Sequence, residues 1–465
     1  MGRKLSRAQP VSAEFEDADL GDARLNRRLV SLAERIGARP SESFPKLLAD
    51  AELEAAYRFF GNEQVAPEAV LAPHVRQTVR RASEVSRILV VHDTTAFEFG
   101  GQSKREGLGH LIKPSAQGFF GHFSLALDAD GSRRPIGLLS LETVFRLKKT
   151  IGHKHWTREQ SLGESVRWWR GVETAEQMLD TRGKAIHVAD REGDQYMLFS
   201  NMVEAGYDFV IRSFQDRRLA GEDEARLRAV ASAAKVTVRR EVALSPRPHI
   251  KGPKGERNPA RRHRLARLSF AATTIEIART SAAPKSGPCT VKLHVIHVLE
   301  RNPPSGQEPV EWFLLTSLPI DRDADILFAV DCYRARWTIE EYFKALKTGC
   351  QFERRQLESA HSLLNALTIL APVAWRLLLL RHLARAEPTA PASTALTPKQ
   401  LEVLRAVSKK PISRRANARE AMLAVAALGG HIKANGDPGW LVVGRGMHDL
   451  LLLELGWRAR EQAEM

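Results

Sequence analysis

Residues 87–95 read RILVVHDTT. Ile88 to Val91 form an unbroken apolar run, which His92 and Asp93 close. A run this short and this rich in β-branched residues predicts a buried strand. A second segment repeats the plan: residues 185–190 read AIHVAD and close on Asp190. Around these two runs, FGHFSLALD (120–128) and PIGLLSLETVFR (135–146) predict strands joined by the turn DADGSRR (128–134). ESVRWWRGVETAEQML (164–179) and DQYMLFSNMVEAG (194–206) predict helices, and DFVIRSF (208–214) another strand. Strands alternating with helices place the chain in the α/β class, around a central sheet.

Further out the rhythm changes. From about 220 to 315 the chain is rich in strand-like segments: KVTVRREVAL, HRLARLSFAATTIEIA, CTVKLHVIHVLE and EWFLLTSLPI. We read this as a β-rich insertion. Its loop KGPKGERNPARRHR (251–264) is densely basic and predicts a charged hairpin or arm. Ahead of the α/β region, residues 17–71 predict short helices such as ARLNRRLVSLAERIG (23–37), a basic helical module suited to DNA recognition. EPTAPASTALTP (387–398) reads as a linker, and the remainder as a small helical domain. The expected division is 1–71, 72–385 and 386–465.

The 465 residues carry 70 Lys and Arg against 55 Asp and Glu, a net charge of +15 with a pI near 9.9. That surplus favours a polyanionic partner, with nucleic acid as the usual one and anionic membrane as its rival. Three cysteines, Cys289, Cys332 and Cys350, show no metal-ligand spacing and argue against a disulfide framework. The N-terminus has no apolar run behind its basic residues, so no secretory signal is expected. The apolar stretch LTILAPVAWRLLLL (367–380) is interrupted by Pro372 and Arg376 and reads as a buried helix rather than a membrane span. A cytoplasmic protein is expected.

Asp93 and Asp190 each stand at the end of an apolar run, where functional groups of open α/β sheets gather. Each could equally cap the turn or helix that follows. The third acid comes from DCYRARWTIEEYFKALKTG (331–349), a predicted helix. At about 100° per residue, Tyr333, Arg336, Glu340, Lys344 and Lys347 share an arc of about 80°. Ala335, Ile339, Tyr342, Phe343 and Leu346 fall on the opposite, core-facing side, and Glu341 points away from Glu340. Cations and a phenol can grip phosphates, and a carboxylate among them makes sense if it holds a divalent cation; i,i+4 pairing on a solvated face is the competing reading. Three carboxylates are the hard oxygen ligands that Mg²⁺ or Mn²⁺ prefers. His92 and His187 should face the core, His153 and His155 lack partners for a zinc site, and His294 and His297 should face opposite sides of a strand.

At these residues the sequence resembles the DDE-type bacterial cut-and-paste transposases of the insertion-sequence class (family four) with a Y-x2-R-x3-E-x6-K signature, here Tyr333, Arg336, Glu340 and Lys347. LGDARLNRRLV, AAYRFFGN, VVHDTTAFEFG, VADREGDQY, FVIRS and NPPSGQEPVEWFLLTS also resemble that family, over about residues 14–385. The resemblance implies a ribonuclease-H-like catalytic core interrupted by a β-rich insertion. It further implies an N-terminal DNA-recognition domain and a C-terminal helical domain for dimerisation. Asp93, Asp190 and Glu340 would hold two Mg²⁺ or Mn²⁺ ions. Arg212, Tyr333, Arg336 and Lys347, with Lys344 beside them, would hold DNA phosphates, and Trp312 would stack on a flipped base, unless it is a core tryptophan of its strand. The implied reaction is end nicking, hairpin formation and opening, and strand transfer into target DNA. The implied partners are double-stranded terminal inverted repeats, target DNA and a second copy of the chain, on nucleoid DNA and away from membranes. A catalytically silent DNA-binding protein and a nuclease without joining activity are the competing readings.

Overall fold

The computed structural model describes residues 9–100, 104–111, 116–146, 158–180, 184–221, 225–244, 250–251, 257–258, 261–281, 283–284, 287–408, 411–432 and 436–464. His153, His155 and much of the basic loop lie outside them. The chain forms two compact units built from non-contiguous segments. The first comprises 1–88, 93–180 and 337–465; the second comprises 89–92 and 181–336. This partition differs from the linear division expected from sequence, because segments far apart in the chain share one core.

The first unit opens with α1 (Ala23–Ala38), α2 (Phe44–Leu47), α3 (Asp50–Phe60) and α4 (Pro67–Ser83). Asp22 caps α1 by accepting from the Arg24 N–H at 2.7 Å. Leu29, Leu32, Ala33 and Ile36 form the buried face of α1, as their spacing predicts. The expected domain boundary at residue 71 falls inside α4, which continues because Pro67 sits at its permitted first-turn position.

Strand β1 (Ile88–Phe99) divides its residues between the units, Leu89–His92 in the second and Asp93–Phe99 in the first. In the first unit β2 (Gly109–His110), β3 (Gln117–Asp128) and β4 (Pro135–Val144) complete the sheet, with α5 (Arg158–Leu179) following. β3 and β4 pair antiparallel across the turn read from DADGSRR.

The second unit orders its strands β1, β5 (Ala185–Ala189), β6 (Asp208–Arg212), β12 (Glu311–Thr316), β11 (Thr290–Glu300), β10 (Arg264–Ala278) and β7 (Val236–Leu244). β5 and β6 are parallel and joined through α6 (Tyr196–Ala205). α7 (Leu227–Ala233) leads into the insertion, whose long strands are antiparallel. β7 alternates half-buried and exposed positions along most of its length, the pattern of a strand with one covered face. In the basic loop β8 (Ile250–Lys251) pairs antiparallel with β9 (Arg257–Asn258), a short hairpin where the charged arm was expected. α8 (Asp323–Ala335) closes the unit.

The first unit resumes with α9 (Trp337–Lys344), a π turn (Ala345–Gly349), α10 (Ala360–Ala386), α11 (Pro398–Val407), α12 (Ala418–Leu428) and α13 (Trp440–Ala463). α10 is longer than the apolar stretch read from sequence. By length and hydropathy it could cross a membrane, but 83% of its most apolar window is buried. The expected C-terminal domain packs on this helix: Leu380, Leu383 and Ala384 share a core with Leu401, Leu404, Met422, Val425, Val443 and Leu450. Residues read as a linker, Ala392, Ala395 and Leu396, are buried in the same core. α12 and α13 cross so closely that a Cβ on Gly446 would stand 1.7 Å from the Val425 carbonyl oxygen.

Candidate active site and nucleic-acid interface

In the second unit the parallel register pairs Val188 with Val210 and Ala189 with Ile211. One step further, Asp190 follows β5 as Arg212 ends β6, so both leave the carboxyl ends of adjacent parallel strands. Asp190 also caps: its Oδ1 accepts from the Glu192 N–H at 2.8 Å, starting a 3-10 turn at Arg191–Gly193. The cap uses one carboxylate oxygen and fixes the orientation of the group.

β12 runs antiparallel to β6, with Leu314 opposite Arg212. Trp312, two residues before Leu314, is half-buried and meets Tyr333 edge-on, with ring centroids 5.5 Å apart. Tyr333 is buried near the end of α8, and the charge of Arg212 acts on its phenol. Burial is the largest cause raising its pKa; Arg336 and Arg212 oppose that shift and Asp190 reinforces it. The phenol is thus held protonated. The buried Arg336 guanidinium stands 6.0 Å from the Tyr333 ring centroid. The structure therefore brings Asp190, Arg212, Trp312, Tyr333 and Arg336 into one neighbourhood.

One organiser of this neighbourhood was not singled out from the sequence. Asp194 is buried, and its Oδ2 accepts from the N–H groups of Phe214 (2.7 Å) and Gln215 (2.8 Å). Its Oδ1 accepts from Arg217 Nη2 at 2.7 Å and Nε at 3.0 Å. This clamp ties the turn after Asp190 to the loop after Arg212. Asp194 and Arg217 are 23 residues apart, and no local pattern signals the pair. His92 and His187 are buried and hydrogen-bonded to each other at 2.9 Å, the core placement expected. On β11, His297 is buried and stacked on Phe313, whereas His294 bonds Thr274.

In the first unit Asp93 does not end its strand as expected. β1 continues to Phe99, because Thr94, Thr95, Phe97 and Phe99 sustain strand propensity and Phe97 and Phe99 remain buried. The Asp93 Oδ1 accepts from the Thr94 N–H at 2.8 Å. Beside it the Thr94 hydroxyl meets His122 Nδ1 at 2.9 Å and accepts from Arg167 Nε at 3.2 Å. Burial, aided by Arg167, pushes His122 down to about 3, so this imidazole is neutral.

The segment 331–349 is not one helix. The Arg336 N–H bonds the Tyr333 carbonyl, tightening the turn between α8 and α9. The core face is as expected: Ala335, Ile339, Tyr342, Phe343 and Leu346 are all buried. The two glutamates separate as the helical wheel requires. Glu340 is half-buried, while Glu341 accepts from Lys344 (2.8 Å) and Trp440 Nε1 (3.0 Å) and pairs with Arg381 (3.1 Å). Lys344 is thus engaged by Glu341. Lys347 donates to the Ala96 carbonyl, lies 3.4 Å from Glu353 and sits 5.3 Å from the Phe97 ring centroid, so it packs beside β1. Asp93 and Glu340 belong to the first unit and Asp190 to the second. Among the described residues no three His, Cys, Asp or Glu side chains already form a metal-holding group.

Two family models match the chain. Residues 7–65 match transposase DNA-binding, and residues 170–375 match the transposase DDE domain. The second match covers Asp190, Arg212, Trp312, Tyr333, Arg336 and Glu340; Asp93 lies outside both. The first supports binding to DNA, and the second a nucleic-acid-cleaving enzyme. A DNA-binding segment followed by a DDE domain, on a mixed α/β chain of net charge +15, supports a DDE transposase.

Proposed function

We propose that this chain excises a DNA element and joins it to target DNA, through end nicking, hairpin formation and opening, and strand transfer. The observation that carries the reading is the convergence of Asp190, Arg212, Tyr333, Arg336 and Trp312 within the segment that matches the DDE domain. Its core is read as ribonuclease-H-like, with residues of the N-terminal match recognising terminal repeats and the C-terminal helices serving a homodimer on nucleoid DNA in the cytoplasm.

Each group has a task. Arg212 and Arg336 present planar guanidinium forks suited to phosphate oxygens. Tyr333, kept protonated, can donate a hydrogen bond to a phosphate. Lys347 adds positive charge beside β1, and Lys344 reaches DNA by exchanging its Glu341 partner for a phosphate. Trp312 offers an indole face to an unstacked base. Asp93, Asp190 and Glu340 are a donor set of hard oxygens that fits Mg²⁺ or Mn²⁺, and backbone N–H groups orient the first two. Two such ions, when bound, activate the attacking oxygen and stabilise the leaving one in phosphoryl transfer.

The test uses duplexes carrying the DNA that flanks the gene. Mg²⁺-dependent nicking, hairpins and joined products are expected, and Asp93→Ala, Asp190→Ala and Glu340→Gln should abolish all three while retaining binding in EDTA. Undiminished cutting by these variants rejects the triad. Binding without cleavage under any divalent metal identifies a silent binding protein, and cleavage without joining identifies a nuclease.

A further inference from the structure

α10 carries a cation into the interior of the first unit. Arg376 lies between the buried Trp375 and Leu377 and is itself partly buried. Among the described residues it has no hydrogen-bond or ion-pair partner. Burial pushes its guanidinium down to about 10; the field of Glu14 opposes this and that of Arg81 adds to it. An arginine in such a place needs a counter-charge, because the cost of desolvating a cation is recovered only by a close anion.

The acid whose field reaches Arg376 cannot serve. Glu14 is buried, and both of its oxygens are committed, Oε2 to His74 Nδ1 at 2.6 Å and Oε1 to Arg81 Nη1 at 2.8 Å. Arg376 instead lines a cavity with Arg80, Arg81, Arg134 and Trp375. Arg80 and Arg81 come from α4, Arg134 from the turn before β4, and Arg376 from α10. Arg81 is fixed by its Nε bond to the Ile136 carbonyl at 2.8 Å and lies 4.2 Å from the Trp375 ring centroid. The Arg134 side chain, like Arg376, has no partner among the described residues. Four guanidinium groups from three elements outnumber the two carboxylates of the lining, Glu14 and Glu84, although Arg80 also pairs with Asp17 at 3.5 Å, and they approach from several directions. That suits a tetrahedral, multiply charged oxyanion better than a planar carboxylate.

We propose that this cavity is a phosphate site, in which Arg134 and Arg376 hold a phosphate group of the DNA backbone or of free phosphate. The backbone source rests on the DNA-binding reading, and Glu14 beside the cavity lies in the segment matching transposase DNA-binding. The free source does not depend on it.

The experiment measures thermal unfolding of the full chain in inorganic phosphate and in chloride of equal ionic strength, and duplex affinity across a salt series. The proteins are the parent, Arg134→Ala and Arg376→Met. If free phosphate is the ligand, it raises the parent's Tm by about 2 °C or more and shifts neither variant. If the backbone is the ligand, phosphate shifts nothing, while both variants lose about two- to tenfold in duplex affinity and their salt slope falls by about 1. Neither effect in either variant overturns the proposal. In phosphate-free buffer Arg376→Met should melt at or above the parent, since an uncompensated charge is removed. A Tm several degrees lower makes Arg376 a structural partner and also overturns the proposal. Asp190→Ala, expected to lose cleavage, should keep the parent's response, so failure of this site and failure of the catalytic reading are told apart.

Discussion

Asp194→Ala tests whether the clamp beside the candidate site is a true organiser of the second unit. Removing the carboxylate leaves Arg217, 4% exposed, without its anion. Breaking one side of a buried ion pair costs about 3–5 kcal/mol. The N–H groups of Phe214 and Gln215 lose their acceptor too, at about 1–3 kcal/mol for a group left unsatisfied. These losses share one carboxylate and do not add, so a destabilisation of about 3 kcal/mol or more is expected. Urea unfolding followed by intrinsic fluorescence measures it. Asp194→Asn, which keeps an acceptor oxygen, should recover part of the loss. In the double variant Asp194→Asn with Arg217→Gln, the two losses should fall well short of additive, because the orphaned cation is gone. A cost below about 1 kcal/mol for Asp194→Ala, or strict additivity in the double variant, refutes the reasoning. The clamp holds the loop after Arg212, so cleavage should fall in Asp194→Asn while the protein remains folded.

Acid stability should report on Glu14: burial would raise its pKa, but His74 and Arg81 outweigh that and hold it at about 2 against an ordinary 4.5. The corresponding stabilisation, about 3 kcal/mol, is present above pH 4.5 and lost as pH falls toward 2; Glu14→Gln should flatten unfolding measured across that window. His74, held below its ordinary value chiefly by burial, adds a loss in the same direction below pH 6.5. Glu341→Gln should lower Tm by weakening the bonds to Lys344, Arg381 and Trp440, whereas Glu340→Gln should spare Tm and abolish cleavage; the reverse outcome would exchange their roles. Trp312→Ala should reduce hairpin yield more than first-strand nicking on gels that resolve both products, and equal losses would make the indole a packing residue for Tyr333.

Much of the site was legible because it depends on local periodicity. An apolar run closing on an acid placed Asp190 after a strand, and about 100° per residue separated Glu340 from Glu341. The alternation of the insertion strands and the core face of α9 also follow from which positions must be buried. Charge and motif order carried the DNA-binding and DDE reading, because they are properties of the chain itself.

What the tertiary structure decided is which distant groups meet. Asp93 lies inside β1 because Phe97 and Phe99 find a core to fill, which the run RILVVHD alone does not reveal. Lys344 chooses Glu341, and Lys347 the Ala96 carbonyl, among partners that a wheel cannot rank. The last helices join α10 rather than forming a separate domain, since their apolar faces are covered there. Asp194 finds Arg217, and Arg376 is left without an ion-pair partner among the described residues, only after strands and helices have packed. Local sequence specifies which face of an element avoids water; pairing and charge compensation between elements are set by the fold that brings those faces together.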